Sequence, residues 1–120
     1  MNEKLKLVRT RRINNILLEY YIDQERELWI TGEQLGKFLG YTRPRNAIAV
    51  LHGKHADRLD QYCKRVNITE DEEVMVYSFK GLLEVCRHSR KPNANKILDS
   101  LFELVEELEL VEEIERSKQS

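Results

Sequence analysis

The chain has 120 residues, of which 41% are hydrophobic and 34% charged, and its formal net charge is −1. That is the size of one ordinary domain with room for an appended helix, and its apolar content suffices for a single modest core. No apolar run approaches the roughly 20 residues of a membrane span, residues 1–12 lack a signal-peptide pattern, and two cysteines are too few for a disulfide framework. A soluble intracellular protein with reduced thiols is the expectation.

The first twelve residues, rich in Lys and Arg, read as a basic arm. Ile16 to Ile22 is dense in β-formers and predicts a strand, Asp23 to Glu27 a polar turn, and Leu28 to Ile30 a returning strand, which together make a hairpin. Thr31 and Gln34 fit a capping box, and Leu35, Phe38 and Leu39 form an apolar stripe behind it, so a helix starts at Thr31. Gly40 is placed to end that helix in the left-handed conformation. Thr42 is suited to cap the next helix, with Pro44 in its first turn. Ala47, Ile48, Val50 and Leu51 are its expected buried face, and Gly53 its end.

Gln61 to Ile68 reads as a strand, Thr69 to Glu73 as an acidic connection, and Val74 to Ser78 as a second strand with a stronger signal. Ser78 then caps a helix carrying Leu82, Leu83, Val85 and Cys86, which Ser89 to Pro92 break. Pro92 opens a long helix predicted to run to about Arg116. Its Ile97, Leu101, Leu104, Leu108 and Val111 alternate spacings of four and three, as in a short coiled-coil seam. Two outcomes stay open for that seam: an intersubunit contact, or packing back on the chain's own core.

The near-zero charge conceals a segregation. Lys4, Lys6, Arg9, Arg11 and Arg12 stand against Glu3 alone. Residues 37–65 hold Lys37, Arg43, Arg45, Lys54, Arg58, Lys64 and Arg65 against Asp57 and Asp60. Residues 80–96 hold Lys80, Arg87, Arg90, Lys91 and Lys96 against Glu84. The balancing acid lies in Glu70 to Glu73 and in a tail from Asp99 to Glu115. Because salt confines a charge's field to roughly 10 Å, local basic blocks attract phosphate even in a near-neutral chain. A solvated charged surface with no partner is the bland alternative.

Catalytic patterns are lacking. There is no G-x-S-x-G, P-loop or G-x-G-x-x-G. His52 and His55, followed by Cys63, and the pair Cys86 and His88, match no zinc spacing, so neither a metal nor any other cofactor is expected. The acidic run at Glu70 to Glu73 lacks the alternation of a calcium loop. What remains is a set of basic residues on short helices. Arg43, Arg45 and Asn46 open the second helix, where free N–H groups suit a phosphate and the side chains suit base edges.

Two segments in this order carry a resemblance. Leu39-Gly40-Tyr41 precedes a basic, Pro-containing helix start, and Ser89-Arg90-Lys91-Pro92-Asn93-Ala94 introduces the last helix. The chain from about residue 13 to 108 thus resembles the BRO N-terminal domain of prophage antirepressors and baculovirus repeated ORF proteins. In that family a W/F-x-x-x-D-x-x-x-x-L-G-Y segment precedes the basic helix, and an S-R-K-P-x-A segment the last one. Gly32-Glu33 stands where the family often has Lys-Asp, and an acidic helical tail is expected in place of the usual C-terminal effector domain.

The resemblance implies an α+β fold: a small antiparallel sheet, short helices including a helix-turn-helix-like pair, and a long C-terminal helix. The expected division is a basic arm (1–12), a DNA-binding domain (13–96) and an acidic helix for dimerisation (97–120). It implies a non-enzymatic, sequence-specific regulator of phage or mobile-element origin, cytoplasmic in a bacterial host. Its partners would be double-stranded DNA and a second copy of itself. Expected DNA contacts are Arg43, Arg45, Asn46, Lys54 and His55; Arg87, His88, Arg90, Lys91 and Lys96; and Arg9, Arg11 and Arg12. Leu101, Leu104, Leu108 and Val111 would join the dimer. The alternative is a protein–protein module that binds a phage repressor or host protein, mimicking DNA through its acidic tail.

Overall fold

The computed structural model of the chain describes residues 7–13 and 15–99. Five strands, β1 (Leu7–Ile13), β2 (Ile16–Ile22), β3 (Leu28–Thr31), β4 (Cys63–Thr69) and β5 (Glu72–Ser78), form one sheet in the order β1-β2-β3-β5-β4. Every pairing in it is antiparallel. Between β3 and β4 come α1 (Gly32–Leu39), α2 (Pro44–Lys54), α3 (Ala56–Leu59) and a 3-10 turn (Asp60–Tyr62), and α4 (Phe79–His88) follows β5. A further helix, α5, covers residues 92–99. The class is α+β, as expected.

Local chemistry sets most boundaries. The Asp23 carboxylate accepts from the backbone N–H groups of Glu25 and Glu27 and from Trp29 Nε1, which closes the β2–β3 turn. The Thr31 hydroxyl accepts from the Gln34 N–H and the Gln34 side chain accepts from the Thr31 N–H, so the capping box is complete. Gly40 sits at φ 91°, and its N–H and that of Tyr41 close on the last carbonyls of α1. Ser78 caps α4 by accepting from the Gly81 N–H.

The core lies on one face of the sheet. Leu18, Tyr20, Leu28, Ile30 and Tyr77 supply it from the strands. Leu35, Phe38, Leu39, Ile48, Leu51, Leu59, Leu82, Val85 and Cys86 supply it from the helices, and Ala94 and Ile97 anchor α5 to it.

Several expectations are corrected. Residues 7–12 belong to strand β1 on the sheet edge, with Arg9 and Arg12 exposed. Thr42 does not cap α2: Arg43 is the N-cap residue, without a side-chain cap, and Pro44 occupies the first turn. Gly53 does not end α2, which continues to Lys54. Val50 is 59% exposed instead of buried. The turn after α3 takes Gln61 and Tyr62 out of the fourth strand, and Glu72 and Glu73 join the fifth. The predicted long C-terminal helix is helical over 92–99. Its continuation, with Leu101, Leu104, Leu108 and Val111, lies outside the described residues, as do Lys4 and Lys6.

Candidate nucleic-acid interface

The turn between α1 and α2 is tight because α1 approaches Pro44 at Gly36. A Cβ at Gly36 would stand 2.5 Å from Pro44 Cα, so only glycine permits this crossing. The chain then enters α2 through Tyr41, Thr42 and Arg43. No acidic residue and no side-chain cap occupies the first turn of α2. Its leading N–H groups and partial positive charge are therefore open to an anion, with the exposed Arg43 beside them.

One face of α2 is turned inward by Ile48 and Leu51. The opposite face carries Asn46, Val50, Gly53 and Lys54, all exposed, at the spacing of successive helical turns. A Cβ at Gly53 would meet nothing within 4 Å, so this side of the helix opens to solvent. Sequence reasoning missed Val50, because apolar residues at 47, 48, 50 and 51 span too wide an arc to reveal which ones face the sheet.

Arg45 departs from its expected neighbours. Its guanidinium lies 3.7 Å from Glu33 and 3.6 Å from Glu72, along a groove of about 360 Å³ also lined by Glu19, Lys37 and Glu73. At about 100° per residue, Arg45 and Asn46 point to different sides of the helix. Arg87 is likewise engaged, at 2.9 Å from the nearly buried Glu84. Among the described residues, no ion pair holds Arg43, Lys54 or Arg90.

The two segments that carry the resemblance meet in space. Tyr41 Oη and Ser89 Oγ lie 2.8 Å apart, Lys91 Nζ sits 5.2 Å over the Tyr41 ring, and a Cβ at Gly40 would stand 3.3 Å from Asn93 Nδ2. Ser89 Oγ also accepts from the Lys91 N–H. At the other end of α2, the His55 ring stacks on His88, with centroids 3.7 Å apart and planes 13° from parallel. His88 in turn lies 3.4 Å from Glu84. The consecutive residues His88 and Ser89 thus contact the C-terminal end of α2 and the turn that leads into it.

Of the expected contacts, Arg43, Asn46 and Lys54 are presented along or beside the open face of α2. Arg90 is exposed and Lys91 half-buried at the Tyr41 contact. Lys96 is exposed on α5, while His55 and His88 are half-buried and serve the bracing stack. Arg9 and Arg12 project from β1, which pairs with β2 at the sheet edge opposite β4. Arg11 occupies β1 as well.

Comparison with known families gives one finding: the BRO family, N-terminal domain, matches residues 18–108. No match was found among curated proteins or among solved structures. Since the match spans most of the chain, the protein belongs to the BRO family.

Proposed function

We propose that this BRO-family protein is a non-enzymatic, sequence-specific regulator that binds double-stranded DNA, of the repressor or antirepressor type found in phages and mobile elements. In this reading α2 enters the major groove with its open face toward the bases. Arg43, the N-terminus of α2, Arg90 and Lys91 hold phosphates and fix orientation. Asn46 reads an adenine edge, and Val50 packs on a thymine methyl group. Arg45 and Arg87, already paired with carboxylates, play a smaller part. Arg9, Arg11 and Arg12 of β1 would extend the backbone contacts.

The observation that carries this reading is the Tyr41–Ser89 contact, since it joins two distant basic segments into one surface around α2. Selection of duplexes from a random pool by the full-length chain tests it. The expected result is an enriched consensus carrying A·T pairs, bound with strong salt dependence. A pool that never enriches at low salt would overturn the proposal.

A protein–protein role has one observation in its favour: the groove beside Arg45 carries Glu19, Glu33, Glu72 and Glu73, an acidic surface suited to a basic segment of a partner. Recovery of a stoichiometric partner after nuclease treatment, with no DNA enriched in the selection, would favour that reading.

A further inference from the structure

Away from the open face of α2, the fold brings three different metal-ligating side chains together. His52 Nε2, a carboxylate oxygen of Asp60 and Cys63 Sγ lie within 4.8 Å of one another. They come from the last turn of α2, the first residue of the 3-10 turn and the first residue of β4. Only the chain reversal between α2 and β4 makes them neighbours, which is why their linear spacing resembles no zinc pattern.

The geometry of His52 is already that of a supported ligand. Its side chain is 13% exposed. Nδ1 lies 2.7 Å from the Tyr77 hydroxyl, and the two rings meet edge to face at 5.5 Å. A metal-binding histidine commonly donates its second N–H to a fixed acceptor, which sets the tautomer and the ring orientation. The Tyr77 oxygen can accept the Nδ1 proton and leave the Nε2 lone pair directed at the cluster. Nε2 now faces Asp60 Oδ1 at 2.7 Å, and the Asp60 side chain is 71% exposed, so an ion has a path in from solvent.

In a tetrahedral site with bonds near 2.0–2.3 Å the donors stand about 3.5 Å apart, a distance these side chains reach by small rotations. A nitrogen–sulfur–oxygen set favours borderline metals of the zinc class over magnesium or calcium. The other acidic cluster among the described residues, Asp23, Glu25 and Glu27, differs. There Asp23 is spent on capping its own turn.

We propose that His52 Nε2, Asp60 and the Cys63 thiolate bind one zinc-class divalent ion, with water completing the coordination. Binding displaces the thiol proton to solvent and moves the imidazole proton onto Nδ1, against Tyr77. The ion then ties the last turn of α2 to the start of β4. This inference does not depend on the DNA-binding reading, because metal uptake is measured without DNA.

Titration of the metal-free full-length chain with cobalt(II) tests it by the thiolate-to-cobalt charge-transfer absorption. The expected result is saturation at one equivalent, displacement by zinc, and a higher melting temperature with zinc present. Cys63→Ser removes the band, and His52→Gln weakens binding at least about tenfold. If Cys63→Ser proves unfolded by circular dichroism, Asp60→Asn at an exposed position decides the matter, with weakened binding expected. A chain without a thiolate band at one equivalent, a band that survives Cys63→Ser, or binding unchanged in a folded Asp60→Asn would each overturn the proposal.

Discussion

At the scale of single residues, partnering separates cations that look alike in the sequence. Arg43 and Arg90 are exposed and outside ion pairs among the described residues, whereas Arg45 and Arg87 face carboxylates at 2.9–3.7 Å. Neutralising one phosphate contact lowers the salt slope of DNA binding by about one. Arg43→Ala and Arg90→Ala are each expected to do so, while Arg45→Ala changes the slope less, as anisotropy across a salt series will read. Val50 makes a separate prediction. Replacing thymine by uracil in the selected duplex removes the methyl group, and the loss of affinity in the wild type should vanish in Val50→Ala.

The core makes a prediction about pH. Burial pushes the Cys86 thiol up to about 12 from an ordinary value of 9.0. Below pH 9 the thiol keeps its proton in both states, and its contribution to stability is fully present. Above that, the unfolded chain loses the proton while the folded chain retains it. Stability therefore falls as pH rises through this window, by up to about 1.4 kcal/mol per unit from this group. Urea unfolding should show a shallower alkaline limb in Cys86→Ala. Some slope should persist, because burial also raises the Tyr77 phenol.

At the scale of elements, the α1–turn–α2 unit rests on features that were legible because they are local. The Thr31–Gln34 capping box and the Gly40 stop each need only residues within one turn, as does the Ser78 cap of α4. Thr31→Ala should cost about 1 kcal/mol in denaturant unfolding. Two glycines that look similar in the sequence behave oppositely in three dimensions. Gly36→Ala drives a methyl group into the Pro44 backbone and should destabilise by about 3 kcal/mol. Gly53→Ala fills open solvent on an exposed helix position and should stabilise by about 0.5–1 kcal/mol.

What local pattern could not supply was orientation. Thr42 has the right chemistry for a cap, yet the close approach of Pro44 to Gly36 starts α2 one residue later. Strand β1 resembles a basic arm in the sequence because its centre, Arg9-Thr10-Arg11-Arg12, lacks the apolar density of a buried strand, and an edge position tolerates that charge. The facing of α2 depends on where the sheet lies, so neither the exposure of Val50 nor the divergence of Arg45 from Asn46 was visible in the sequence. The contact of Gly40 and Tyr41 with Ser89, Lys91 and Asn93 joins the two segments that carry the family pattern, a tertiary relation that spacing alone does not reveal.

At the scale of the whole molecule, the charge segregation acquires a geometry. Two basic segments distant in sequence converge on Tyr41 and Ser89, while Glu19, Glu33, Glu72 and Glu73 gather along the groove that holds Arg45. In the proposed reading, such separation would orient the molecule on DNA without a large net charge. The seam of Leu101, Leu104, Leu108 and Val111 adds an expectation at this scale. We propose that these residues join two copies of the chain; Leu104→Glu with Leu108→Glu should then convert a dimer to a monomer in sedimentation, and should weaken binding to a two-fold symmetric duplex more than to a half-site.

The most direct test of the account is the affinity of wild type and the double variant Arg43→Ala, Asn46→Ala for the selected duplex. Both substitutions are at exposed positions, so the melting temperature should be unchanged. A loss of about 30-fold or more is expected in anisotropy at moderate salt, as one phosphate contact and one base contact of about 1–3 kcal/mol each disappear. Equal affinity in the two proteins would contradict it.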